Sequence, residues 1–406
     1  MNIPTSKHLP LTDIKVVEIG ANLAGPYAAE ILSHLGADVV KIERPSGDDA
    51  RKWGAPVPAH GAAADSAAAH SGSSFHAVNM NKRSVVVDFN DAASMAALKQ
   101  LIARADVLVQ NSRPGVLEEF GLGAEAMRAL NPRLIYCSVG AFGSTGPLKL
   151  NPGYEPMVQA FSGLMMLQGT ADGSPMRIGT QVLDHGTGMW AAMGCLAALL
   201  QRARTGAGCV VDASLFETAL AWLTIPGAQY QCFGTLPERH ATGSGRLIPF
   251  QAFETKNGPV VIAAGNDRLF AKVAQVLGHA EWATDPRFEK NLDRVKHRDV
   301  LLDAIAQIMM TRSKGEWVDL FSAVDVPCSP INTLDEALAH AQTEATGMLQ
   351  AVPGLGKSLM GLPLRFDGER PAVRSMAPAL GAHTAEVFAA EAAAKAGPAA
   401  ERPARS

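Results

Sequence analysis

Three blocks of residues carry the types and spacing that chemistry would use. The first is Leu183-Asp184-His185-Gly186-Thr187-Gly188, just ahead of a long apolar stretch over residues 188–200. A carboxylate at Asp184 has two uses. It can cap the helix by accepting a backbone N–H, the ordinary fate of aspartate at such a place. It can instead present its oxygens to a bound substrate. Glycine is costly at a helix start, so Gly186 and Gly188 make more sense where a bulky substrate must approach the carboxylate. His185 is either a base or only a neighbour. The second block is Leu23-Ala24-Gly25-Pro26, with Arg44 some twenty residues on, and the third is Lys82-Arg83 with Asn111-Ser112-Arg113-Pro114-Gly115.

These blocks need elements to position them. Residues 14–19 (IKVVEI) read as a buried strand, 27–35 as a helix with Pro26 in its first turn, and 37–43 as a second strand. That is the strand–helix–strand unit of a parallel sheet. It recurs as strand 84–89, helix 92–103 and strands 106–110 and 134–139. The first half is therefore doubly wound α/β, and its first βα turn lies where such sheets bind ligands. A helix N-terminus behind Gly25 favours an anion. Arg44 and Arg113 leave strands near this rim, where a surface salt bridge is the other use of Arg44, and Lys82 and Arg83 enter the strand 84–89, facing phosphates or water. Residues 158–166 and 188–202 read as helices and 209–212 as a strand. Beyond them, 248–255 and 260–264 form a hairpin about Asn257-Gly258, followed by helices 267–277, 298–311 and 314–323. The expected division is a large domain over 1–224, a smaller α+β domain over 225–325, and 326–406 as a linker back to the large domain ending in a frayed tail from 389. Residues 56–74, rich in Ala, Ser, Gly and His, read as a solvated insertion; its His60 and His70, with His76 just beyond it, lack metal-ligand spacing.

Composition narrows the class. The 406 residues are 47% hydrophobic and 18% charged, which supports a large core. With 36 Lys+Arg against 39 Asp+Glu there is no basic surplus for nucleic acid. The five cysteines include no CxxC pair, so neither a disulfide framework nor a zinc site is expected, and the reduced cytosol fits. No secretory leader and no membrane span are expected. Three motifs fail. Gly354-Leu355-Gly356-Lys357-Ser358 has Ala351 where a phosphate loop needs its first glycine. The turn Gly20-Ala21-Asn22-Leu23-Ala24-Gly25 is not the dinucleotide fingerprint, which argues against a nicotinamide oxidoreductase. No GxSxG elbow exists.

Taken together, these blocks resemble the class III CoA-transferases, the group that includes formyl-CoA transferase and the carnitine CoA-transferase. The resemblance spans residues 9–383. It rests on Leu23-Ala24-Gly25-Pro26, 38–45, 79–84, 111–115, Gly153-Tyr154-Glu155, 184–188, Arg204-Thr205-Gly206-Ala207-Gly208 and Leu380-Gly381-Ala382-His383-Thr384. Residues 243–253, 263–266 and 326–332 look closest to the succinate–hydroxymethylglutarate CoA-transferase branch. The resemblance implies a Rossmann-like large domain, a smaller α+β domain and an interlocked cytoplasmic homodimer. It implies that Asp184 is the nucleophile, passing through aspartyl anhydride and aspartyl-CoA thioester intermediates. It implies CoA contacts from Leu23, Ala24, Arg44, the stretch Val87, Asp88, Phe89 and Asn90, Asn111, Ser112, Arg113, Tyr154 and Glu155. Thr242-Gly243-Ser244-Gly245 resembles the family's glycine loop over the site. The substrates would be an acyl-CoA, with succinyl-CoA the expected donor, and a free carboxylic acid, expected to be a dicarboxylate, with no tightly bound cofactor and no metal. Formyl-CoA transferase has His and Gln where this chain has Ala21 and Leu23, which argues against formyl or oxalate specificity. The racemase relatives use His–Asp where this chain has Tyr154-Glu155, so an α-methylacyl-CoA racemase-like activity is an alternative without its usual base. A non-catalytic acyl-CoA-binding protein, with Asp184 only capping a helix, is the other. Arg177 and Arg246 are candidates to pair with an acceptor's distal carboxylate. The acceptor, the donor and any role of the 56–74 insertion stay open at this stage.

Overall fold

The computed structural model describes residues 9–58 and 70–396. The expectations for a leader, for the centre of the 56–74 insertion with His60, and for the tail beyond 396 lie outside the described residues. The chain divides into two compact units. The first takes the residues up to Ser162, Ile178–Gly227 and Glu344 onward; the second takes Gly163–Arg177 and Ala228–Thr343.

Six parallel strands form the first unit's sheet: β1 (Lys15–Ile19), β2 (Asp38–Glu43), β3 (Lys82–Val86), β4 (Val107–Gln110), β5 (Ile135–Gly140) and β6 (Val210–Ser214). Their spatial order is β3-β2-β1-β4-β5-β6. Successive side chains go to opposite faces, and both faces are covered. Val16, Val39, Val107, Val109, Ile135 and Cys137 pack on one side with α1 (Ala24–His34). Val17, Val40, Leu108 and Tyr136 pack on the other with Leu98, Leu101 and Ile102 of α2 (Ala92–Ala103). This is why the strands read as largely apolar at their centres. The order reverses between β1 and β4, so a crevice opens at their carboxyl ends.

Three further helices complete this side: α3 (Glu155–Phe161), α4 (Val182–Thr205) and α5 (Leu215–Trp222). The expected helix 158–166 stops early, because Gly163 takes the left-handed region at φ 85°. The expected helix 188–202 begins six residues sooner, at Val182. The expected fray from 389 is also corrected. A helix runs over Thr384–Ala396, and Val387 is buried beneath α2 and its neighbours. The preceding motif seals the edge strand: Gly381 N–H donates to Ser84 Oγ at 2.9 Å, and Val86 N–H to Thr384 Oγ1 at 3.0 Å.

In the second unit β7 (Phe250–Phe253) and β8 (Val260–Ala263) pair as the expected hairpin, with Val260 opposite Phe253. A third strand, β9 (Cys328–Pro330), pairs with β8 through Val260 and Pro330. The small unit therefore runs past 325, since this ladder holds the segment that sequence reading took for a linker. Gly354 and Gly356, both with positive φ, sit between the paired strands Leu349–Ala351 and Ser358–Met360. That is a hairpin turn, not a phosphate loop.

Candidate active site

The first βα turn is built on buried charge. Lys41 on β2 lies 2.7 Å from Glu18 Oε1 on β1 and 2.9 Å from Asp48 Oδ2, all with essentially no exposure. Burial alone would lower the Lys41 ammonium, but Glu18, Asp48 and Glu43 more than offset it and hold it above its ordinary range. Lys82 lies 2.7 Å from Glu18 Oε2 and donates to the carbonyls of Pro26 and Val78. Lys82 thus anchors the start of α1 from inside the fold. It faces neither water nor a phosphate, as its sequence position allowed. Asp48 Oδ1 accepts the Asn22 N–H at 3.1 Å, holding Asn22 at φ 68°. Asn111, at the end of β4, closes the switch point. Its Oδ1 accepts from Ala21 N–H at 2.8 Å and its Nδ2 donates to Ala21 O at 2.7 Å.

Asp184 is the third residue of α4, and Gln181 occupies the capping position without a side-chain bond. The capping reading therefore fails. The role belongs to Glu155, whose Oε1 accepts the Leu183 N–H at 3.1 Å and a Gln159 Nε2 proton at 3.0 Å. Asp184 is left facing a cavity. Burial, and secondarily the Glu155 charge, push its carboxyl from 3.8 up to about 7. The glycines beside it serve packing more than substrate access. A Cβ on Gly188 would stand 2.9 Å from Ala24 O and from Tyr27 Cδ1. One on Gly186 would stand 2.7 Å from Trp222 Cζ2. They let α4 approach α1 and α5 closely enough to aim Asp184.

The cavity at Asp184 has a volume of about 300 Å³, lined by Asn22, Leu23, Ala24, Trp53, Asn111, Tyr154, His185 and Leu215 among others. A larger cavity of about 730 Å³ is lined by Arg44, Val87, Asp88, Phe89, Asn90, Asn111 and Ser112 among others. Asn111 lines both. At the larger mouth Arg44 pairs with Asp49 at 2.6 Å, both well exposed. Of the expected contact residues, Leu23, Ala24 and Tyr154 thus gather round Asp184, and the Arg44 and 87–90 groups line the second space. Glu155 is buried behind Asp184, and Arg113 is exposed and lines neither. Thr242-Gly243-Ser244-Gly245 lie in the second unit. There Thr242 Oγ1 accepts from Ala252 N–H at 3.1 Å, and Ser244 Oγ accepts from Arg246 N–H at 3.1 Å. The Arg246 side chain donates to Gln229 Oε1 in the same unit. Among the described residues no three His, Cys, Asp or Glu come together as a metal site, and no helix is long and apolar enough to cross a membrane.

The model of CoA-transferase family III matches residues 11–384. The chain belongs to that family. The succinate–glutarate CoA-transferase of Agrobacterium fabrum is 35% identical over 94% of this chain and 95% of its own length. The acetyl-CoA:oxalate CoA-transferase of Acetobacter aceti is 36% identical over 93% and 94%. A crystal structure of a CaiB/BaiF family protein from Brucella suis superposes with a TM-score of 0.85 at 35% identity, covering 94% of this chain and 99% of that one.

This CoA-transferase also uses residues that sequence reasoning passed over. Lys41, Asp48 and Glu18 shape the turn beneath the cavity. A lysine inside the apolar run DVVKIE was the available signal for the first of these. Burying it demands a partner, but nothing local identifies Glu18, 23 residues away, as that partner.

Proposed function

We propose that this enzyme moves CoA from an acyl-CoA, with succinyl-CoA the donor of choice, to a free dicarboxylic acid through covalent intermediates on Asp184. The observation that carries the reading is Asp184 itself: a partly buried carboxylate, pushed up to about 7 chiefly by desolvation, at the wall of a cavity that shares Asn111 with a second, larger space. An Asp184 oxygen attacks the thioester carbonyl, the C–S bond breaks, and CoA thiolate leaves a mixed anhydride. The thiolate then attacks the Asp184 carbonyl, releasing the donor acid as carboxylate and leaving an aspartyl-CoA thioester. The acceptor carboxylate attacks that thioester and expels the thiolate again. Thiolate attack on the acceptor's carbonyl forms the new acyl-CoA and restores Asp184. One anion enters and one leaves, so neither ATP nor an external base is consumed. Desolvation raises the carboxylate's basicity and keeps water from the anhydride.

The acceptor class rests on the relatives, whose named acceptors, glutarate and oxalate, are both dicarboxylates. Oxalate among them weakens the argument from Ala21 and Leu23 against that acid. We assign CoA contacts to Leu23, Ala24, Arg44, residues 87–90, Asn111, Ser112, Arg113 and Tyr154, and the glycine-loop role to Thr242–Gly245 by resemblance. Glu155 is assigned to tuning Asp184. A cytoplasmic homodimer is part of the reading. It is supported by exposed apolar side chains on α4 and α5, including Met189, Met193, Leu200 and Leu220, and by the free thiols of Cys137 and Cys195.

The test is hydroxylamine trapping after mixing with succinyl-CoA alone. A hydroxamate on the Asp184 peptide is expected. An unmodified Asp184 across a panel of acyl-CoA donors would overturn the covalent reading.

A further inference from the structure

The segment Asn79-Met80-Asn81-Lys82, prominent in the sequence, takes no direct part at the site. Lys82 lines neither cavity, and its side chain has no exposure. Its Nζ lies 2.7 Å from Pro26 O, 2.9 Å from Val78 O, 2.8 Å from Asn79 Oδ1 and 2.7 Å from Glu18 Oε2. An ammonium has three protons, so these oxygens share them and none is left over for a ligand. The partners belong to two walls of the Asp184 cavity. Pro26 lies in the first turn of α1, whose entry supplies Leu23 and Ala24 to the lining. Val78 ends the short helix Ser73–Ala77, and Ser74, Ala77 and Val78 are lining residues too. Asn79, fully buried, donates from Nδ2 to Phe75 O at 3.0 Å and so fastens the same helix end. The remaining wall is α4, whose approach at Gly188 is set by contact with Ala24 O and Tyr27. A shift at the start of α1 is therefore felt one helical turn from Asp184.

We propose that Lys82 is a positioning residue for transfer: its ammonium ties the start of α1 to the Ser73–Ala77 helix, and so fixes the two walls between which the thioester meets Asp184. Stability alone does not call for it, because well-packed apolar residues commonly hold a fold as well as buried charges do. What the ammonium adds is direction. Its contacts fix where both walls stand, and attack on a thioester carbonyl depends on placement to within about 1 Å. The inference rests on Asp184 as the reacting carboxylate and goes beyond it in naming what holds the site in shape.

The experiment compares the full-length wild type with the double variant Glu18→Gln, Lys82→Met and with Asn79→Ala. Lys82→Met alone would leave a buried Glu18 oxygen without its partner and put the fold at risk. The double change removes both charges of that pair and keeps an acceptor at position 18 for Lys41. Asn79→Ala leaves every charge in place and removes one acceptor of the ammonium and the tie to Phe75 O, so it carries the test if the double variant does not fold. Circular dichroism and urea unfolding first establish which variants are folded. The readouts are kcat and KM for succinyl-CoA with glutarate as acceptor, and the rate at which hydroxylamine captures Asp184. Both kcat and the trapping rate should fall about a hundredfold in the double variant and about fivefold in Asn79→Ala, as expected of a misplaced reacting group. KM for succinyl-CoA should move less than about threefold, because none of the three residues lines a cavity and the loss is confined to the transition state. Folded variants with wild-type kcat would overturn the inference. So would a rise in KM at constant kcat, which would make Lys82 a matter of binding only. No Asp184 hydroxamate in wild type would overturn the covalent reading and this inference with it. A normal hydroxamate in wild type with undiminished trapping in the folded variants would overturn this inference alone.

Discussion

Asp184 is expected to destabilise the protein it serves. Its carboxyl goes from 3.8 to about 7 on folding, chiefly because burial disfavours the charge. Between these values the native state holds a proton that the unfolded chain has lost. Stability therefore falls as pH rises through this window, and levels off above about 7. At 1.36 kcal/mol per pH unit the full cost is up to about 4 kcal/mol. Asp184→Asn is close to isosteric with the neutral acid and does not titrate. It should abolish transfer while making the fold more stable, by an amount that depends on pH. The gap in unfolding free energy should widen by about 2–3 kcal/mol from about pH 5 to about pH 8 in the variant's favour. Urea unfolding of both proteins at equal protomer concentration measures it, since any dimer makes stability concentration-dependent. A gap that stays constant with pH, or a variant less stable at about pH 8, would refute the claim that Asp184 is a strained, desolvated carboxylate.

Other consequences follow from the same geometry. Glu155→Gln keeps an acceptor for Leu183 N–H but removes the secondary cause of the Asp184 shift. The acid limb of kcat/KM should move down by less than about 1.5 pH units; a move upward contradicts the electrostatic account. Gly188→Ala improves helix propensity yet drives a Cβ to 2.9 Å from Ala24 O and Tyr27 Cδ1. The net loss should be about 1–3 kcal/mol in urea titrations, and a stabilised variant would sink the packing role given to this glycine. Lys41→Met strips Glu18 and Asp48 of a partner 2.7 and 2.9 Å away. A loss of about 3–5 kcal/mol is expected from thermal or denaturant unfolding, and a change under about 1 kcal/mol contradicts it.

Much of this enzyme was readable before its fold was known. The strands of the sheet announced themselves because both faces are buried, so residues 14–19 and 134–139 are mostly apolar, with Lys15, Glu18 and Ser138 the exceptions. Asp184 was readable because a carboxylate ahead of an apolar helix between glycines is an odd arrangement. What was misread came from partners distant in sequence. Gly186 and Gly188 lower helix propensity, so the helix was expected to begin only at Gly188. Packing against Tyr27 and Trp222 outweighs that cost and carries the helix back to Val182. The Leu183 N–H finds its acceptor in Glu155, 28 residues earlier, leaving Asp184 free of capping duty. Lys82 read as facing phosphate or water because Glu18, Pro26 and Val78, which claim it, come together only when β1, α1 and β3 do. Strand β9 was missed because three residues of edge strand carry too little pattern to be seen.

The central claim is that Asp184 takes part covalently, and oxygen tracing tests it most directly. Turnover with glutarate labelled by ¹⁸O in both carboxylates should leave ¹⁸O in the Asp184 peptide, because the acceptor's attacking oxygen stays on the aspartyl carbon when thiolate attacks the acceptor carbonyl. Later turnovers should then pass that oxygen to the released donor acid. Label in the released acid with an unlabelled Asp184 would mean that the two acids meet directly, and would contradict the account.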